Sequence, residues 1–360
     1  MRMIPLARPT ITDEEIQAVQ AVLASGNIAT GSLVKEFEAR FAAYIGKPHA
    51  IAVNSGTVAL YLAVRVLGLR KVILPAITCP EVLNAVVHAG ADPVVVDIEE
   101  STHNLDPGQL RGDATRGADA VIITNAYGHP ARIPEIQEAC QARGWTLIED
   151  FAQSTGASLR GKPCGSFGTV SVTSFYATKS MTTGHGGMIL TDSEETGKRL
   201  RIARGDEAYE YLDTCVPLNL KITDFQAALG LQQLQRVDGF VERRRELASM
   251  YRKELKGREG ITLLGEQEGA RSCYYKCVGM LEAIRKETFI AGMKKRGIQV
   301  GVLYDPPLHR MKVMTARYGE TGPFPVADRV ASRAVSLPMF PSMTRNDVRK
   351  VCSAVMEVLR

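Results

Sequence analysis

Lys179 stands in the stretch SFYATKSMTTGHGG, residues 174 to 187, just past a β-branched run and just before a cluster of glycines. Between Asp150 and Asp192 the chain carries no Asp or Glu, whereas Arg160, Lys162, Lys179 and His185 all fall in that interval. An isolated loop lysine is ordinarily solvated, since an ammonium is seldom buried unpaired. In a partly dry, electropositive setting the same side chain loses its proton more easily, and the neutral amine can condense with an aldehyde to form a Schiff base. The neighbours of Lys179 in space decide between these two fates, and the elements that carry them set those neighbours.

Short apolar, β-branched runs recur along the first two thirds of the chain: AIAVN, KVILP, PVVVD, AVIITN, TLIED, VSVTSF and GMILT. Amphipathic segments such as TVALYLAVRVLG, CPEVLNAVVHAG and PEIQEACQARG separate most of them, and two helices precede them over about Thr12 to Ala43. Near-continuous apolar strands alternating with helices predict a mostly parallel, roughly seven-stranded sheet covered on both faces, an α/β fold. From Asp224 the pattern becomes one long helix and then shorter strand and helix pieces, which predicts a large domain over residues 1–235 and a smaller α+β domain over 236–360.

Ligands of such sheets bind beyond the carboxyl ends of the strands, so the residues there belong together. After AIAVN comes Ser55-Gly56-Thr57-Val58, a hydroxyl, a glycine and a helix start whose free N–H groups suit a phosphate, although Ser-Gly-Thr is also an ordinary helix cap. Asp150 ends TLIED and Gln153 follows; a carboxylate there is either a structural cap or the partner of a protonated ring nitrogen. Ser174 closes VSVTS, five positions before Lys179. A phosphate cradle, a carboxylate, an amide and an isolated amine at one sheet edge meet the needs of pyridoxal phosphate, whose aldehyde, ring nitrogen and phosphate each require such a partner.

The gross composition narrows the possibilities. The chain has 360 residues, 45% of them hydrophobic and 23% charged, with a net charge of +5. No apolar run is long enough for a membrane span, and the first residues lack the pattern of a secretory signal, so a cytoplasmic protein without membrane partners is expected. The seven cysteines are scattered without a CxxC pair, which argues against a metal site and a disulfide framework; Cys273 and Cys277 could share a helix face as packing residues. The basic run ERRRE at 242 to 246 is flanked by acids and reads as a solvated helix face rather than a nucleic-acid contact.

The sequence resembles the nucleotide-sugar aminotransferases of the DegT/StrS family nearly end to end, on GSLVKEFEARFAAYIG, AVNSGTVAL, LIEDFAQSTGA, GSFGTVSVTSFYATKSMTTGHGGMILT, NLKITDFQAALG and PFPVADRVASRAVSLPMFPSMT. The resemblance implies the aspartate aminotransferase type of fold, with pyridoxal phosphate as cofactor. It implies that Lys179 binds the cofactor and moves the substrate proton, that Asp150 pairs its ring nitrogen, and that Gln153 contacts its phenolic oxygen. Gly56, Thr57, Val58 and Ser174 would then hold the phosphate, Asn219 would reach it from the partner subunit of a homodimer, and His185, Tyr304 and His309 would lie toward the sugar. His309 could equally cap or pack within the small domain. The implied reaction moves an amino group, with L-glutamate as donor, to a nucleotide-linked keto-deoxy-sugar for amino-sugar biosynthesis. Related sugar dehydratases, which use pyridoxamine phosphate, carry histidine at the lysine position. A non-catalytic cofactor-binding regulator and a cyclitol or aminobenzoate-type substrate are also compatible with the resemblance. Three positions depart from the family pattern: His185 and Arg132 replace acids, and Cys79 stands where an aromatic ring usually stacks on the cofactor.

Overall fold

The computed structural model describes residues 3–206, 217–319 and 321–360; Cys215 lies outside them. Every strand expected from the apolar runs is present: β1 His49–Val53, β2 Lys71–Pro75, β3 Asp92–Val96, β4 Ala120–Thr124, β5 Thr146–Asp150, β6 Val170–Ser174 and β7 Gly187–Thr191. They form one seven-stranded sheet in the order β1-β7-β6-β5-β4-β2-β3. The pairs from β3 through β6 are parallel, whereas β7 runs antiparallel to both β6 and β1. Six strands therefore point their carboxyl ends to one edge, and β7 begins at that edge.

Helices cover both faces, which is why β4 is buried at all five positions. Ahead of the sheet come α1 Asp13–Ser25 and α2 Ser32–Ile45; between and after its strands come α3 Gly56–Val66, α4 Pro80–His88, α5 Ile133–Arg143 and α6 Glu194–Arg204. The expected Thr12 cap of α1 is a capping box with Glu15, and α2 stops at Gly46, whose φ of 82° suits a left-handed terminus. Then α7, Asp224–Leu255, spans 32 residues, packing on α1 and α2 and also on the last helix of the chain.

Beyond α7 lies a four-stranded antiparallel sheet of β8 Ile261–Leu263, β9 Cys277–Leu281, β10 Gly301–Val302 and β11 Ala334–Leu337, in the order β8-β9-β11-β10. The helices α8 Lys286–Lys295, α9 Lys312–Tyr318, α10 Pro325–Arg333 and α11 Arg345–Leu359 accompany it. A further three-stranded sheet joins Ser158–Leu159 and Lys162–Pro163 to Ala270–Arg271.

Two sequence expectations are corrected here. Cys277 opens strand β9 and Cys273 lies in the approach to it, so the pair shares no helix face; both are buried free thiols. The ERRRE run is not a uniformly solvated face: Arg244 is buried and donates to the carbonyls of Met339 (3.0 Å) and Tyr275 (3.4 Å), because α7 passes there from the core under the large sheet, at Val241, to that of the small sheet, at Leu247. Among the described residues no helix is long and apolar enough to cross a membrane.

Candidate active site

Lys179 owes its position to an aromatic anchor. Phe175, the first residue after β6, is fully buried between Phe37 and Phe41 of α2, with ring centroids 5.2 Å from each. Its carbonyl accepts from the Thr183 amide and the Thr182 hydroxyl, both at 3.0 Å, and so closes residues 175–183 into a loop. Within the loop the Lys179 amide donates to the Tyr176 carbonyl at 2.9 Å. The half-buried ammonium lies 5.1 Å from the centroid of the Tyr275 ring and makes no ion pair among the described residues.

Asp150, at the carboxyl end of β5, is buried and accepts one hydrogen bond, from the Ala152 amide at 2.9 Å. Burial pushes its pKa up, opposed by that bond and by the charge of Lys179. A carboxyl so placed gains from any cation or donor brought to it. Cys79, half-buried at the cap of α4, also feels Lys179, and burial raises its thiol pKa.

The turn into α3 abuts the same loop. A Cβ on Gly56 would stand 2.7 Å from Ser174 Cβ, and one on Gly187 would stand 2.5 Å from the Ser55 carbonyl oxygen, so both positions need glycine for this close approach. Ser55 caps α3 by accepting from the Val58 amide at 3.2 Å, and the Thr57 hydroxyl donates to Glu81 at 3.1 Å. The amides of Gly56 and Thr57, orphaned by helix geometry, have no partner among the described residues. Both meanings of the Ser-Gly-Thr signal therefore hold at once: Ser55 is a cap, and the next two amides are free for an anion.

Both polar atoms of the Gln153 amide have a partner. Its Oε1 accepts from the Tyr127 amide at 2.9 Å, and its Nε2 donates to the Tyr304 hydroxyl at 2.7 Å. Tyr304 stacks on Tyr127, with centroids 6.0 Å apart and planes 15° off parallel. The remaining expected residues lie apart from this group or at its margin. His185 is exposed, edge-on to the Tyr176 ring at 5.2 Å. Asn219 is exposed and has no side-chain partner in its own chain among the described residues. His309 is buried, with Nε2 3.0 Å from Asp328 and its ring 4.4 Å from Phe324, which is a packing role. Arg132 pairs with the exposed Glu135 (2.7 Å) and the half-buried Glu99 (3.8 Å).

Apart from Tyr304, which the resemblance had placed toward the sugar, several residues at the site carry no local sequence signal. Tyr127, Tyr274 and Tyr304 have φ of 61°, 46° and 49°, and His103, edge-on to Tyr127 at 6.0 Å, has 57°. Four strained non-glycine residues in one neighbourhood are a mark of functional sites. Tyr275 and Lys276 arrive from the approach to β9, about a hundred positions after Lys179. The Tyr275 hydroxyl lies 3.2 Å from Thr178 Oγ1; burial raises its pKa, but the charges of Lys179 and Lys276 and the Thr178 bond outweigh burial and leave it lowered.

Known proteins share this whole frame. GDP-perosamine synthase of Escherichia coli O157:H7 is 30% identical over 368 residues, covering 99% of both chains. The aminotransferase TlmJ from Streptoalloteichus hindustanus superimposes with a TM-score of 0.93 at 31% identity, again over 99% of both chains. A Streptococcus pneumoniae protein solved in its PLP form gives a TM-score of 0.93 at 26% identity, over 99% of this chain and 98% of that one. The model of the DegT/DnrJ/EryC1/StrS aminotransferases matches residues 9–356, and the chain belongs to that family.

Proposed function

We propose that this protein is a pyridoxal-phosphate-dependent aminotransferase that moves an amino group from L-glutamate to the keto group of a nucleotide-linked deoxy-sugar, acting in the cytoplasm as a homodimer. The observation that carries the reading is the placement of the unpaired Lys179 amine beside the buried, under-partnered Asp150. The donor set fits the cofactor. Asp150 would face the ring nitrogen, the free amides of Gly56 and Thr57 with the Ser174 hydroxyl would take the phosphate, and Cys79 would lie against the ring. Gln153 would meet the phenolic oxygen. When bound, the cofactor supplies an aldehyde to take the amino group and a ring able to spread negative charge.

The chain's own residues then do the following. Lys179 Nζ takes the proton from the α-carbon of the donor and later delivers a proton to the acceptor carbon. Asp150, held by the Ala152 amide, would present its carboxylate to the ring nitrogen and so favour a proton on that partner. Tyr275 fixes the amine of Lys179 through its ring face. The same reading divides the chain at about residue 235, within α7, with the site between the large and small parts; the packing of α7 on both supports it. The exposed Asn219 and the exposed apolar side chains Ile16 and Leu23 of α1 support a second subunit.

The test is the absorbance spectrum of cofactor-loaded protein with L-glutamate and then with a panel of nucleotide-linked keto-sugars. Loss of the long-wavelength band with glutamate and its return with one sugar is expected; a band that responds to no amino donor would refute the reading. Mixing Lys179→Ala with Asn219→Ala subunits tests the shared site: about half of the randomly paired dimers are hybrids with one intact site each, so the mixture should recover roughly a quarter of the wild-type activity, and no recovery would mean that Asn219 does not serve the partner's site.

A further inference from the structure

Lys276 stands immediately before β9, and the chemistry above leaves it without a task. Its ammonium lies 4.8 Å from the centroid of the Tyr275 ring, the ring that also carries Lys179 at 5.1 Å. Arg244 reaches the same place from α7, on the Tyr275 carbonyl, with its Nε unpartnered. Three cations thus surround one tyrosine, and among the described residues no carboxylate pairs with Lys276 or Arg244. Burial lowers the pKa of Lys276, and the charges of Arg244 and Lys179 lower it further against the opposing pull of Tyr275. A half-buried cation without a counter-ion is unfavourable, and an aromatic face offsets only part of that cost.

We propose that Lys276 is a specificity-determining residue that receives the carboxylate of the amino-acid donor, with Tyr275 holding its ammonium in place. The inference rests on the aminotransferase reading above. Because both ammoniums sit on one ring, they lie no more than about 10 Å apart. In an amino acid the carboxylate is attached to the carbon that loses its proton. The two ammoniums also feel each other's charge, a closeness that lets a carboxylate rest on Lys276 while the carbon next to it meets Lys179. The diphosphate of a nucleotide sugar is set off from the reacting carbon by the sugar ring, and its multiple charges call for several exposed cations rather than one half-buried ammonium.

The experiment compares holoenzyme of the wild type, Lys276→Gln and Lys276→Arg. Three quantities are read: the L-glutamate concentration that half-converts the spectrum, the dissociation constant of glutarate, which has the carboxylates but no amino group, and that of dTDP. For Lys276→Gln, glutamate and glutarate should weaken at least tenfold and dTDP less than twofold, while Lys276→Arg stays within threefold of wild type throughout. Lys276→Met, which keeps the stem on the Tyr275 ring, gives the same comparison should the Gln variant fail to fold. Unchanged glutarate binding in either neutral variant overturns the proposal, as does a matching loss for dTDP, which would assign Lys276 to the diphosphate. A wild type that takes neither glutamate nor glutarate also overturns it. The aminotransferase reading fails separately, if no amino acid at all alters the wild-type spectrum.

Discussion

Glu149 and Asp150 are adjacent on β5, both carboxyls are buried, and burial raises both pKa values, yet the two sides of the strand treat them differently. Glu149 is saturated: it accepts from the Gly165 amide at 2.7 Å, the Phe167 amide and Asn125 Nδ2 at 2.9 Å, and the Gly168 amide at 3.3 Å. It ties the loop before β6 to the end of β4. Asp150 has one local donor and faces Lys179. Alternation along a strand puts consecutive side chains on opposite faces, so one carboxyl becomes an internal fastener and the next is left needing a partner. A buried acid with unfilled acceptor capacity is the better guide to function than burial or pKa alone.

The contrast can be broken most forcefully at the amine itself. Lys179→Ala should lower turnover by roughly 10⁴-fold or more while the protein still folds and binds cofactor, and near-normal turnover would remove Lys179 from the chemistry. Next, Asp150→Asn should cost about 10²-fold or more in kcat with little change in the denaturation midpoint. Glu149→Gln should do the reverse, losing about 3 kcal/mol of stability because two amide donors then face an NH₂ group. If both variants act alike, the two faces are not distinct.

Acid titration gives a smaller effect. His103 and His129 are buried without a partner for Nδ1, and burial lowers their pKa values to about 4 and about 3. A base with a depressed folded pKa binds its proton first in the unfolded chain, so stability falls as pH drops below about 6.5, by up to about 1.4 kcal/mol per unit for each histidine. Glu149 and Asp150, whose folded forms favour the proton, pull the other way. His103→Asn, a residue that tolerates positive φ, should flatten the acid limb measured by chemical denaturation; Asp150→Asn should not. Last and smallest, Cys79→Phe should tighten cofactor retention by about 0.5–1.5 kcal/mol if the thiol lies against the ring, and unchanged retention would move Cys79 off it.

The large sheet was legible because its strands are five-residue runs rich in β-branched residues, mostly buried and bounded by turn residues, so the local pattern and the tertiary environment agree. The antiparallel entry of β7 was not, since direction leaves no mark on composition. Asp150 and Ser174 end their strands and Gln153 and Lys179 follow within five positions, so the gathering of these four at one sheet edge was legible. Tyr127, Tyr275 and Lys276 were not: nothing in CYYKC distinguishes a strand approach that turns toward a distant loop, and positive φ at tyrosine has no composition signature. The burial of Arg244 inside a charged run shows the same limit, because α7 passes there from one core to the other and its polar face is not all solvent.

The amide of Gln153 joins Tyr127, beside the large sheet, to Tyr304, just beyond β10 of the small one. Only one of the two N–H groups on Nε2 is spent on that phenol, so a ligand oxygen can take the other without displacing anything. The amide is thereby held in orientation before any ligand arrives, because its oxygen and one N–H are already fixed by partners from different parts of the chain. What a ligand meets at this point is a donor aimed in advance, at little further cost in side-chain freedom.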